Sequence, residues 1–158
     1  MSENIFNANH NVKELVKSDF DGVKYKNPGK KVGFIMFYAP WCPHCEGMLE
    51  PWSELSLGLK KYDIGVEFSA FNCENEAAGN KTLSAKIGIQ GFPTIKWFDI
   101  NGNLSTPLLQ NNKEMGRSKQ EILAFICEKM QKCYSCDKVT CNLKQTGGKR
   151  VKARKYTS

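Results

Sequence analysis

The sequence predicts an α/β fold in which a central mixed β-sheet is flanked by helices. Three observations predict it. Val32-Gly33-Phe34-Ile35-Met36-Phe37-Tyr38 is a continuous apolar run of strand length, as a central strand covered on both faces requires. Residues 65–71 and 92–98 repeat the strand signal, and the sequence between these runs reads as helix. A chain of 158 residues with 41% hydrophobic side chains is also long enough to enclose a real core as one ordinary domain.

In chain order, an early segment around residues 11–25 precedes the first clear strand. The apolar run ends at the Ala39-Pro40 step, and Cys42 follows it. Met48, Leu49, Trp52, Leu55 and Leu59 then recur at helical spacing, which predicts a helix over roughly 43–61, with a kink at Pro51. Residues 65–71 alternate apolar with small or polar side chains and predict the second strand. The polar stretch after it fits a short helix over roughly 75–86. Residues 92–98 predict a third strand, 99–103 a turn and 104–109 a return strand. Ser118-Lys119-Gln120-Glu121 has the capping-box pattern ahead of Ile122, Leu123, Phe125 and Ile126, so a terminal amphipathic helix should end near Gln131. The order β-α-β-α-β-β-α implies the mixed sheet. The chain is expected to divide into an N-terminal extension (1–10), the α/β domain (11–131) and a Cys-containing basic tail (132–158) without regular structure around Gly147-Gly148.

The net charge of +7 is carried entirely by that tail, in Lys138, Lys144, Lys149, Arg150, Lys152, Arg154 and Lys155. A basic tail suits contact with nucleic acid or another anionic surface, or serves only as a solvated end. No apolar run approaches the roughly 20 residues of a membrane span. The start has no apolar block behind a basic cluster, so cytoplasmic residence is the expectation. Seven cysteines are many for a reducing compartment, where cysteine leans toward catalysis or metal binding.

Trp41-Cys42-Pro43-His44-Cys45 is the motif that carries chemistry. Disulfide exchange needs one thiolate to attack a disulfide and a second thiol to release the mixed intermediate. Cys-x-x-Cys at a helix start brings both sulfurs within reach, and the free N–H groups and positive end of the helix favour the first as thiolate. Cys42 is therefore the expected nucleophile and Cys45 the resolving thiol. His44 could add positive charge or a hydrogen bond to Cys42. Pro43 suits the first helical turn, and Trp41 could shield the site. Zinc is the rival reading of this pair. It needs two further ligands, which Cys127, Cys133, Cys136 and Cys141 could supply.

These residues resemble the thioredoxin superfamily, and within it the thioredoxin domains of protein disulfide isomerases. Phe37-Tyr38-Ala39-Pro40-Trp41-Cys42-x-His44-Cys45 is similar to the isomerase active-site block, and Gly91-Phe92-Pro93-Thr94-Ile95-Lys96-Trp97-Phe98 to its second signature. The resemblance covers roughly residues 11–130. It implies a thioredoxin fold and a thiol–disulfide oxidoreductase acting on protein thiols without a cofactor. It also implies that Pro93 follows a cis bond and lies against the Cys pair, with Phe92 pairing with substrate backbone. Cys-Pro-His-Cys is similar to the tetrapeptide of the bacterial periplasmic disulfide-introducing oxidase, which implies a lean toward oxidation or isomerisation and a thiol oxidase as partner. An oxidising site on a cytoplasmic chain would suit a large cytoplasmic DNA virus, with packaging in a virion. The sequence departs from the family at Met36, where a buried acid is usual, at Ala70, where its lysine partner is usual, and at Pro51, one residue later than usual.

Cys73 and Cys127 are expected as small core residues. Cys133-Tyr134-Ser135-Cys136, with Cys141, could form an auxiliary dithiol, a zinc site or a disulfide that clips the tail. The alternative function is a redox-inert binding or virion structural module, with the basic tail as its working part.

Overall fold

The structure is a computed structural model that describes residues 3–7, 10–131, 133–136 and 141–144. The elements are β1 (Lys13–Leu15), β2 (Phe20–Asp21), β3 (Lys24–Tyr25), β4 (Val32–Tyr38), α1 (Pro43–Glu46), α2 (Leu49–Lys61), β5 (Val66–Asn72), α3 (Asn80–Ile87), β6 (Thr94–Phe98), β7 (Leu104–Ser105), α4 (Lys119–Met130), β8 (Cys133–Cys136) and β9 (Cys141–Lys144). Five strands form one sheet in the order β1-β5-β4-β6-β7. β1, β5 and β4 run parallel, while β6 and β7 are antiparallel to their neighbours. The expected mixed sheet is therefore present, with the apolar run at its centre.

The pleat explains why that run is continuous. Phe34, Met36 and Tyr38 face a core built with Trp52, Leu55, Phe68, Ala70, Ile122 and Phe125. Ile35 and Phe37 face a second core with Leu15, Phe71, Leu83 and Phe98. Both faces are dry, so both sets of alternate residues must be apolar. Trp52 is fully buried, and its indole N–H donates to the Ser69 carbonyl at 3.1 Å, which fixes α2 on the sheet. Gly33 is a close approach: a Cβ there would lie 2.2 Å from the Glu67 carbonyl oxygen, so no larger residue fits between β4 and β5.

Four elements differ from expectation. The helix expected over 43–61 is two helices, broken at Gly47 and Met48. Pro51 is the third residue of α2, where a missing N–H leaves no intrahelical bond unmade, so the break lies upstream of it. α3 begins at Asn80 rather than near 75, because residues 75–79 form turns that end on Gly79 at φ +82°. The return strand stops at Ser105, followed by an isolated Leu108–Glu114 bridge. At α4, Ser118 caps the Glu121 N–H at 3.1 Å, but the Glu121 carboxylate accepts from Gly116 at 2.7 Å. Only half of the expected capping box forms, and its other half ties down the loop ahead of the helix.

The tail holds an unexpected feature: β8 and β9 pair as an antiparallel hairpin with Cys136 opposite Cys141. Most of the basic run, with Gly147-Gly148, lies outside the described residues. Among the described residues no helix is long and apolar enough to cross a membrane.

Candidate active site

The end of β4 delivers the Cys pair. After Tyr38 the chain turns through Ala39 and Pro40, and the Cys42 N–H donates to the Ala39 carbonyl at 3.1 Å. Cys42 is the N-cap of α1 with extended dihedrals (φ −87°, ψ 120°), and its carbonyl accepts from the Cys45 and Glu46 N–H groups at 3.0 and 3.1 Å. Pro43 occupies the first helical position. Cys42 retains 7% of its surface and Cys45 none. Both are free thiols in this structure.

The two thiols are displaced in opposite directions. Burial pushes the Cys42 thiol up, but more pulls it down: hydrogen bonds from the Cys45 N–H, the Cys45 thiol and the His44 N–H, and then the charge of Arg117. The outcome is a thiol below its ordinary range, as donors and positive charge facing a sulfur require. Burial pushes Cys45 up to about 12, and its hydrogen bond to Cys42 adds to this. The first thiol is thus biased toward its thiolate and the second toward its protonated form.

Nothing ionisable stands where the resemblance places an acid and a lysine. Met36 and Ala70 are fully buried and directly paired between β4 and β5. The nearest carboxyl along that row of the sheet is Glu14 on β1, paired with Ala70 on its other side. It is two strands from Met36.

The second expected motif comes to the same place. The Phe92–Pro93 peptide bond is cis, and the Cys42 sulfur lies 3.7 Å from the Phe92 carbonyl oxygen. Trp41 is 63% exposed and meets the Phe92 ring edge-on at 5.9 Å, so it forms an open apolar rim beside the buried pair. His44 lies in the first turn of α1 with its side chain exposed.

Arg117, just ahead of α4, was not singled out from the sequence. It is far from the motif in the chain, and a lone arginine before a cap carries no periodic signal. Arg117→Gln should raise the pH midpoint of Cys42 alkylation by a few tenths of a unit, read as the pH dependence of iodoacetamide modification; an unchanged midpoint would remove Arg117 from the site.

Cys73 is buried as expected, and burial pushes its thiol up to about 12. Cys127, expected as a small core thiol, is half-buried and disulfide-bonded. The side chains of Cys133, Cys136 and Cys141 lie outside the described residues, and with them the dithiol, zinc and clip readings. Among the described residues no three His, Cys, Asp or Glu side chains converge as metal ligands do.

Comparison with known proteins agrees with this geometry. Residues 11–128 match the Thioredoxin family. The chain is 32% identical over 118 residues to Protein disulfide-isomerase tigA of Aspergillus niger, covering 75% of this chain and 30% of that protein. It is 34% identical over 118 residues to Protein disulfide-isomerase erp38 of Neurospora crassa, covering 75% and 29%. It thus spans about a third of the length of these relatives. Its fold is similar to the first thioredoxin domain of mouse Protein disulfide-isomerase A4, with a TM-score of 0.56 and 25% identity over 75% of each chain. With the sheet order, the Cys pair at the start of α1 and the match over residues 11–128 in agreement, the chain belongs to the thioredoxin family.

Proposed function

We propose that the protein is a thiol–disulfide oxidoreductase acting on protein thiols through Cys42 and Cys45, with a lean toward oxidation and isomerisation. The observation that carries this reading is the opposite displacement of two thiols within one helical turn, Cys42 below its ordinary range and Cys45 up to about 12. Family membership and the disulfide isomerases among the relatives support it.

In the oxidising direction a substrate thiolate attacks the Cys42 sulfur of the Cys42–Cys45 disulfide. Cys45 leaves with the bond pair and takes a proton, which its high affinity favours. A second substrate thiolate then attacks the substrate sulfur of the mixed disulfide and expels Cys42 as thiolate. The substrate loses two electrons and gains a disulfide; the Cys pair is reduced. A low-pKa thiol is the better leaving group, and stabilising the Cys42 thiolate stabilises the reduced pair, which makes the disulfide the stronger oxidant. Isomerisation uses the reverse attack by the Cys42 thiolate. A net oxidase requires a thiol oxidase to restore the disulfide. Trp41 and Phe92 supply the apolar rim, and the Phe92 carbonyl beside Cys42 is positioned to receive a substrate N–H, with Pro93 fixing the turn. Cytoplasmic residence, packaging in a virion and contact of residues 138–158 with an anionic surface rest on the sequence alone.

Equilibration of the pair with glutathione tests the reading. A potential less negative than about −200 mV is expected. A value at or below about −270 mV would overturn the oxidising lean, and a pair that does not exchange at all would leave only the binding-module alternative.

A further inference from the structure

The N-terminal segment lies against the end of the sheet that carries the Cys pair. Phe6 is 3% exposed and packs edge-on to Tyr38 at 5.8 Å, in the same core that holds Cys42 and Cys45. Three backbone and side-chain bonds dock this segment. The Ile5 N–H donates to the Tyr38 phenol oxygen at 3.2 Å, and the Asn4 side-chain oxygen accepts from Asn72 at 3.0 Å. The Asn4 oxygen also accepts from the Tyr38 hydroxyl at 3.5 Å. Glu14 in turn accepts from the Tyr38 hydroxyl, yet its second carboxyl oxygen, Oε1, is buried without any partner.

An ionised carboxylate with one oxygen bare of donors is held at a cost that a protonated one escapes. Undocking of the segment would let water reach that oxygen. We propose that residues 4–6 form a pH-set strap, docked while Glu14 is protonated and released as Glu14 ionises. Release enlarges the apolar surface at the dithiol end of the sheet, since Tyr38 is the last residue of β4 and Ala39 leads directly to the Cys turn.

The sign follows from linkage. Burial raises the Glu14 carboxyl from its ordinary value to about 7, against smaller lowering by Tyr38 and the Phe6 N–H. The docked state therefore binds a proton that the released state gives up, so docking is favoured in acid and lost as pH rises through about 7. The groups facing Glu14 do not reverse this. From β4 it meets the Tyr38 phenol, itself pushed up by burial and by Glu14. β5 presents the uncharged Asn72 beside Tyr38, and the Cys73 thiol beyond it. From the strap come backbone N–H groups, Asn4 and the exposed Glu3. His10 is edge-on to Phe6, and its Nδ1 accepts from the Asn7 N–H at 2.9 Å.

Hydrogen exchange of the Ile5 and Phe6 amides, normalised to their intrinsic rates, reads the strap directly. Protection should fall by roughly tenfold or more from pH 5.5 to pH 8.5 in the wild-type chain. Glu14→Gln should flatten that dependence, whereas His10→Gln should leave it in place. Protection that is flat in the wild type, or equally pH-dependent in Glu14→Gln, would overturn the proposal. A reciprocal measurement covers failure of Glu14→Gln to fold. Phe6→Ala, which weakens the strap, should lower the Glu14 pKa by a unit or more in carboxyl NMR titration, and an unmoved Glu14 would contradict the strap. Neither readout involves disulfide exchange.

Discussion

Cys42→Ser is expected to reduce refolding of a scrambled disulfide protein by about three orders of magnitude or more, to the uncatalysed rate. Its thiol is the one that N–H donors and the charge of Arg117 hold below its ordinary range. Cys45 cannot take over the attack. It is fully buried, and burial pushes its thiol up to about 12, so it stays protonated at neutral pH. Serine is close to cysteine in volume and suits the N-cap position, so the fold should survive with an unchanged melting transition. Loss of activity together with loss of the fold would say nothing about the nucleophile; loss of activity in a native fold is the expected result, and wild-type refolding by Cys42→Ser would sink the enzyme reading.

Cys45→Ser has the second large effect, of a different kind. Attack by Cys42 should persist, because a serine hydroxyl can still donate to the Cys42 thiolate as the Cys45 thiol does. Release cannot follow, so a covalent protein–substrate adduct should accumulate to near one per chain, visible by intact mass and dispersed by dithiothreitol, while turnover falls by about 100-fold or more. Wild-type resolution is itself expected to be slow and to quicken with alkali. Met36 and Ala70 line the row where a proton acceptor would stand, and both are apolar and fully buried. An adduct that fails to form in Cys45→Ser would mean that Cys42 is not the attacking thiol.

Most of the fold was legible because its signals are local or periodic. The seven-residue apolar run could only be a strand with two dry faces, and the structure sends its alternate residues into two cores. The Cys turn was legible for the same reason, since strand, turn and helix start are adjacent in the chain. The misses are tertiary or geometric. The helix breaks at Gly47 and Met48 although Pro51 is the visible breaker, because a proline in a first turn asks nothing of the preceding carbonyls. Glu121 looked like the partner of its own cap, but a nearer donor, the Gly116 N–H, competes for it. Arg117 and Glu14 act through distance in space, and no spacing rule could link them to Cys42 or Tyr38.

The most direct measurement is the pH dependence of Cys42 modification by iodoacetamide in the reduced chain, followed site by site by peptide mass spectrometry. Cys42 should modify with a midpoint well below the roughly 8.5 of a free thiol, while Cys45, pushed up to about 12, should stay unmodified throughout the neutral range. A Cys42 midpoint at or above that of a free thiol, or equal reactivity of the two cysteines, would contradict the assignment of nucleophile and resolving thiol.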